Sequence, residues 1–264
     1  MIEKQNNLSI SQNFIKSSKL IESIIREKTS INSQDVVLDI GAGKGVLSFE
    51  LSKKCQKVIA YELDKKLVKE LKAKISETCI TNIEVIEGDF LNEVVNVPKY
   101  KVFSNIPFSI SAEIINKLLL SENPPTDSYI FLEKGAGYRF LGMPYSQESI
   151  LSMKLKCEFD GEITHQFSKF DFQPIPKADV ILVRFKKIDE SKTDFDKGAF
   201  IEFITRIFDR KKHILKNALE TEFSFNQIKR IKRDLGLDLS IPPSRLLFEK
   251  WLQIYKTAKV LKLS

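Results

Sequence analysis

The chain has 264 residues, 42% hydrophobic and 29% charged, with 19 Phe against one Trp; that is roughly one and a half to two average domains with a substantial core. No window approaches the roughly 18 consecutive apolar residues of a membrane helix, MIEKQNNLSISQNF lacks the apolar stretch of a secretory signal, and three scattered Cys with two His exclude a disulfide scaffold and a Cys/His metal centre. A cytoplasmic protein without metal is therefore expected, and its net charge of +7, with 16 Lys/Arg against 11 Asp/Glu in residues 189–264, points to a polyanionic partner.

A polar arm leads into a helix over about Lys19–Lys28. Val36–Ile40 reads as an apolar strand running into Asp39-Ile-Gly-Ala-Gly-Lys-Gly45. Gly41 and Gly43 suit a tight turn with a ligand close to the backbone. The spacing is G-x-G-x-G, shorter than a pyrophosphate fingerprint, and no G-x-x-x-x-G-K-[ST] is present. A helix over VLSFELSKK precedes a strand at Lys57–Glu62, and Leu63–Ile75 shows the helical period. Glu62 ends its strand 17 residues after Gly45, where a carboxylate can accept both ribose hydroxyls of an adenosine. IEVIEG is the third strand; Asp89 after it can take the exocyclic amine of adenine, with Leu63 and Phe90 as apolar walls. YKVFSN is the fourth strand, and Ile110–Leu120 a helix stopped by Asn123-Pro124-Pro125. Further strands are expected at SYIFLE, HQFSKFDF and ADVILVRF. Strands alternating with helices predict an α/β fold with a parallel, doubly wound Rossmann-like sheet. The polar stretch 186–194 reads as a linker, followed by helical windows near 198–208, 211–221, 225–235 and 244–258. Two domains follow: residues 1–188, binding the cofactor and carrying the chemistry, and a small all-helical domain, residues 189–264.

The short glycine loop favours S-adenosylmethionine, which has no phosphate, while an NAD enzyme remains open on the crevice alone. The chemistry is selected by Asn105-Ile106-Pro107-Phe108, directly after the fourth strand. An adenine amine is a weak nucleophile because its lone pair is delocalised into the ring. The Asn105 side-chain oxygen and the Ile106 carbonyl can accept its hydrogens, Pro107 holds the loop by fixing φ, and Phe108 can stack on a base drawn out of its helix. No strong general base is required.

These motifs together resemble the rRNA adenine N6-methyltransferases, which comprise the Erm macrolide-resistance enzymes and the KsgA-type small-subunit dimethyltransferases. Ser11-Gln-Asn-Phe14 is similar to the family's N-terminal motif, which implies that Gln12 and Asn13 contact the cofactor. Asp39–Gly45, Glu62-Leu-Asp64, Glu87-Gly-Asp-Phe90 and Asn105–Phe108 are similar to the glycine-loop, ribose, adenine and catalytic motifs; Phe108 stands where many members have Tyr. Phe172-Gln-Pro-Ile-Pro-Lys177 resembles the loop whose aromatic presses on the target base, which implies that Phe172 faces Phe108 across it. Asn-Ile-Pro-Phe, Leu132–Arg139 and Asp179–Arg184 look more like Erm enzymes, whereas Arg210–Leu219 resembles a KsgA stretch. The resemblance implies mono- or dimethylation of an adenosine in large-subunit rRNA, with macrolide resistance as the result. Small-subunit rRNA dimethylation is the alternative, and a non-catalytic RNA-binding factor a remote one.

Candidate phosphate contacts are Lys4, Lys16 and Lys19, Lys134 and Arg139, Arg210, Lys211, Lys212 and Lys216, and Lys229, Arg230, Lys232 and Arg233. Single-stranded or loop RNA is the expected target type, and a monomer is expected. Asp64 reads as a helix cap, and Trp251 as core of the tail.

Overall fold

A computed structural model describes residues 13–208 and 213–263. In chain order it holds Phe14–Ile15 (β1), Ser18–Lys28 (α1), Val36–Ile40 (β2), Val46–Ser52 (α2), Lys57–Glu62 (β3), Lys65–Glu77 (α3) and Ile83–Glu87 (β4). Lys101–Ser104 (β5), Ser111–Leu119 (α4), Asp127–Glu133 (β6), Lys134–Leu141 (α5), Ile150–Glu158 (α6), Phe159–Gln166 (β7), Phe172–Gln173 (β8) and Val180–Lys187 (β9) follow. The chain continues through Lys197–Ile207 (α7), Leu215–Leu219 (α8), Phe225–Leu235 (α9) and Phe248–Leu263 (α10).

These elements form two compact units. Residues 13–137 join Asp160–Lys187 in one, and Tyr138–Phe159 joins the described residues from Ile188 onward in the other. In the first, seven strands lie in the order β4-β3-β2-β5-β6-β9-β7. Neighbours from β4 through β6 are parallel, and β9 is antiparallel to β6. The sheet is thus the expected Rossmann-like one, with an antiparallel addition that apolar runs alone do not reveal. Its central strands read as continuous apolar segments because helices cover both faces. The chain enters at β2, moves outward to β4 and returns to β5 on the other side of β2. Strand order reverses there, and the carboxyl ends of β2 and β5 part to leave a crevice.

HQFSKFDF is not one strand: β7 ends at Gln166, a short 3-10 turn spans Lys169–Asp171, and β8 follows. β8 pairs antiparallel with β1, Phe14 opposite Gln173 and Ile15 opposite Phe172. α1 forms because Ile21, Ile24 and Ile25 recur at helical spacing and are buried, and because the Ser17 hydroxyl accepts the Leu20 N–H at 3.2 Å.

The second unit has its own core. Phe200, Phe203, Ile204, Trp251, Ile254 and Tyr255 are buried together, and Met153 and Cys157 of α6 belong to the same cluster. That packing is why residues 138–159 group with the C-terminal helices. α6 (ILSMKLKCE) mixes apolar residues with Ser152, Lys154, Lys156 and Glu158 around its circumference, so no clean stripe marks it in the sequence. Among the described residues no helix is long and apolar enough to cross a membrane, and no group of three or more His, Cys, Asp or Glu could hold a metal ion.

In the first unit a buried carboxylate ties the sheet to the segment before it. Asp127 receives the Arg184 guanidinium through two bonds, Nε to Oδ1 at 3.0 Å and Nη2 to Oδ2 at 2.7 Å. The Ser30 hydroxyl at 2.8 Å and the Tyr129 hydroxyl at 3.1 Å also donate to Oδ2. Arg184→Met should therefore cost about 3 kcal/mol, because it strands a buried charge. Glu162→Ala removes the exposed partner of the same arginine and should cost less than about 1 kcal/mol. Urea unfolding of both variants checks the contrast; equal losses would mean that burial does not decide it.

Candidate functional site

The crevice at the reversal of strand order is lined from four strand ends. The parallel register sets Ile40 beside Tyr61 and Glu62 beside Glu87, which brings three turns to one level. There the Gly41 and Ala42 N–H groups donate to the Tyr61 carbonyl at 2.8 and 3.0 Å, and the Gly88 N–H to the Glu62 carbonyl at 3.0 Å. A cavity of about 290 Å³ opens above them, lined by Gly41, Glu62, Leu63, Asp89, Phe90 and Pro107 among others.

Gly43 and Gly45 have left-handed backbones, φ +57° and +82°. A Cβ on Gly43 would meet the Phe14 ring at 2.6 Å, and one on Gly45 would meet Leu71 at 2.4 Å. The first lets β1 lie over the loop, and the second lets α2 start against α3.

Glu62 is 1% exposed, and its carboxylate is held by main-chain donors: Gly43 N–H to Oε2 at 2.7 Å and Asp64 N–H to Oε1 at 2.9 Å. A carboxylate has about four acceptor sites, so two remain for a ligand. Asp64 itself caps α3, its Oδ1 accepting the Lys66 N–H at 2.7 Å. Asp89 is also an N-cap: Oδ1 takes the Leu91 N–H at 3.0 Å and Oδ2 the Asn92 side-chain amide at 3.3 Å. Phe90 lies edge-on to Tyr61, centroids 5.2 Å apart, and Leu63 is half-exposed at the rim.

A second, small cavity of about 20 Å³ adjoins Gly41 and Pro107 and is lined by Asn13, Phe14, Asn105, Ile106 and Phe108. The Asn105 amide is oriented by one bond, Nδ2 donating to the Asn13 carbonyl at 2.6 Å. Its Oδ1 is buried and has no hydrogen-bond partner among the described residues, an arrangement that demands an explanation. Ile106 is buried, and Phe108 is half-buried with its ring against the sheet core. The structure thus brings Gly41, Gly43, Glu62, Leu63, Asp89, Phe90 and Asn105–Phe108 to the crevice, with Asn13 beside Asn105. Gln12 lies outside the described residues, as do Lys4, Arg210, Lys211 and Lys212.

Phe172 is placed differently from the expectation. It is 0% exposed and packs edge-on to Phe167 at 5.6 Å inside the sheet core. Alternation along β8 turns Gln173 outward and Phe172 inward, so this ring has no face to offer a base.

Ser104 is a site residue that sequence reasoning missed. The β2–β5 ladder ends at Leu38 with Val102, and beyond it the Ser104 side chain takes over. Its hydroxyl donates to the Ile40 carbonyl at 2.7 Å and accepts the Ile40 N–H at 3.1 Å. A lone polar residue at the end of an apolar strand was the available signal.

A model of the ribosomal RNA adenine dimethylase family matches residues 3–259. An rRNA adenine N-6-methyltransferase of Limosilactobacillus reuteri is 31% identical over 97% of this chain and 98% of its own. A ribosomal RNA small subunit methyltransferase A of Fusobacterium nucleatum is 26% identical over 97% and 98%. Among solved structures, the 23S rRNA methyltransferase ErmE superposes with a TM-score of 0.83 at 21% identity, covering 94% of this chain and all of that one; at that identity it speaks for the fold.

One further group in the site titrates unusually. Asp39, at the end of β2, is fully buried, which pushes its carboxyl up to about 7; the Ser48 hydroxyl, donating at 2.6 Å, opposes the shift, and the nearby Glu62 adds to it. The folded protein therefore keeps a proton that the unfolded chain releases near 3.8, so this group's contribution to stability declines as pH rises between those values. Asp39→Asn should flatten that decline, comparing urea midpoints at pH 5 and above 7. An unchanged slope would rule out Asp39 as its source.

Proposed function

The chain belongs to the ribosomal RNA adenine dimethylase family, and from that premise we propose that it methylates N6 of one adenosine in large-subunit rRNA, using S-adenosylmethionine. The observation that carries the reading is the Asn105 amide, whose buried oxygen is unpartnered at the mouth of a crevice shaped for an adenosine. When bound, S-adenosylmethionine supplies an electrophilic methyl group. Glu62, held by two main-chain N–H groups, presents its remaining acceptor sites to ribose hydroxyls. Leu63 and Phe90 wall the adenine of the cofactor, and Asp89 turns an oxygen to its amine.

Asn105 and the Ile106 carbonyl accept the hydrogens of the target amine, which draws its lone pair out of the ring and towards the methyl group. The Asn13 carbonyl keeps the Asn105 oxygen turned to that task. Pro107, with φ −59°, holds the loop, and the exposed part of Phe108 stacks on the extruded base. The helical unit contributes an RNA-binding surface. Large-subunit rRNA is favoured by Asn-Ile-Pro-Phe, by Leu132–Arg139 and by Asp179–Arg184. Methylation there would remove hydrogen-bond donors and add bulk where macrolides dock, giving resistance. Small-subunit rRNA is the second reading, favoured by relatives named as small-subunit methyltransferases.

Labelled methyl transfer onto protein-free large-subunit rRNA and onto under-methylated small-subunit particles, with the base mapped, tests the assignment. Product on the naked large-subunit RNA is expected; product only on the particle would move the enzyme to ribosome maturation. Asn105→Ala should lower turnover roughly 10²–10³-fold, as loss of an oriented polar group in a transition state does, with cofactor affinity nearly unchanged. Wild-type turnover would refute the polarisation mechanism. Phe108→Ala should lose far more turnover than Phe108→Tyr; equal losses would show that the ring does not stack.

A further inference from the structure

The helical unit carries a groove that the crevice chemistry does not use. On α9, Phe225, Lys229 and Lys232 stand at i, i+4 and i+7, so they share one face, while Ile228 and Ile231 take the buried one. Phe225 is 72% exposed. The facing wall is the start of α8, fixed by Leu215 and Lys216 N–H groups donating to the Ile241 and Leu239 carbonyls at 2.8 and 3.0 Å. Ile214, Lys216, Phe225, Lys229, Lys232 and Asp238 border a groove of about 530 Å³.

The charges on this face are only partly spent internally, the Lys232 ammonium acting on Asp238 across the groove. Lys229 and Lys232 have no ion-pair partner among the described residues, whereas Arg230 and Arg233 engage Asp234 at 3.5 and 2.8 Å. Lys216 reaches Glu220 only at 3.9 Å. Asp238 keeps one oxygen on the Ser240 N–H and hydroxyl, at 2.9 and 2.6 Å; the other oxygen has no hydrogen-bond partner among the described residues. An apolar protein segment would leave both ammonium groups and the open Asp238 oxygen without hydrogen-bond partners. A base-free polyanion would gain nothing from the phenyl ring and would be repelled by Asp238. A nucleotide uses all three: a ring that stacks, phosphates that pair with lysines, and N–H or hydroxyl donors for a carboxylate.

We propose that this groove binds an unpaired nucleotide of an RNA strand, its base stacked on Phe225, its flanking phosphates on Lys229 and Lys232, and a base-edge or 2′-hydroxyl donor on Asp238. The inference rests on the rRNA-methylation reading for the origin of the strand. It makes the helical unit a second anchor that reads a single-stranded segment apart from the target base.

Fluorescence anisotropy of the full chain with a labelled short single-stranded RNA, and separately with labelled heparin, tests it. Phe225→Ala should weaken RNA binding roughly five- to 160-fold, the loss of one stacked base, while Phe225→Tyr stays near wild type and heparin binding does not move. The double variant Lys229→Gln, Lys232→Gln should weaken both probes and reduce the salt slope for RNA by about 1.4. Cofactor affinity and the thermal midpoint should be unchanged in all three, since the side chains are exposed. Wild-type RNA affinity in Phe225→Ala, or an equal loss for RNA and heparin, overturns the proposal. A wild-type chain that binds the RNA in this manner but methylates neither rRNA would instead overturn the functional reading and leave the groove standing.

Discussion

Neighbouring parallel strands hold together through main-chain bonds, and an active crevice needs two of them to part. Here β2 and β5 are joined past their last ladder pair by one hydroxyl, Ser104, which both donates to and accepts from Ile40. The loop that begins at Asn105 and the turn that begins at Gly41 leave the sheet from that point. Their separation, and hence the space between the glycine loop and the Asn105 loop, is set by a side chain at a position where the regular ladder has run out.

The same opening concentrates polar groups at the end of an apolar sheet. Asp39 and Glu62 are each 1% exposed, and burying two carboxylates side by side is costly unless each is answered. The answers differ. Glu62 takes two main-chain N–H groups, which orient a carboxylate for hydrogen bonding. Asp39 takes one hydroxyl, and burial drives it towards the neutral form. One acid is thereby positioned to meet a ligand, while the other braces the base of α2 through Ser48.

Asn105 shows how a short bond selects chemistry. An amide can turn either its oxygen or its nitrogen towards a ligand, and the Asn13 carbonyl, an acceptor with no hydrogen to give, settles which. β1 and its partner β8 carry that carbonyl to the Asn105 loop. The N-terminal strand is thus part of the polar machinery, although its two residues look unremarkable as a strand.

Much of this was legible in the chain itself. Glycines at 41, 43 and 45 after an apolar strand, acids at 62 and 89, and Asn-Ile-Pro-Phe after the fourth strand are local signals, because turns, strand ends and φ restraints depend on neighbouring residues. The α/β alternation and the core position of Trp251 follow from periodicity for the same reason. Other features arise only when distant segments meet. Phe172 is buried because β8 pairs with β1, 157 residues away in the Ile15–Phe172 pair. β9 runs antiparallel because it docks on β6, and residues 138–159 join the tail because Met153 and Cys157 fill its core. The bond from Asn105 to Asn13 spans 92 residues. Local sequence determines which chemistry each element can carry; which side of an element faces the core, and which polar atom is left without a partner, is decided by packing between segments that no local pattern relates.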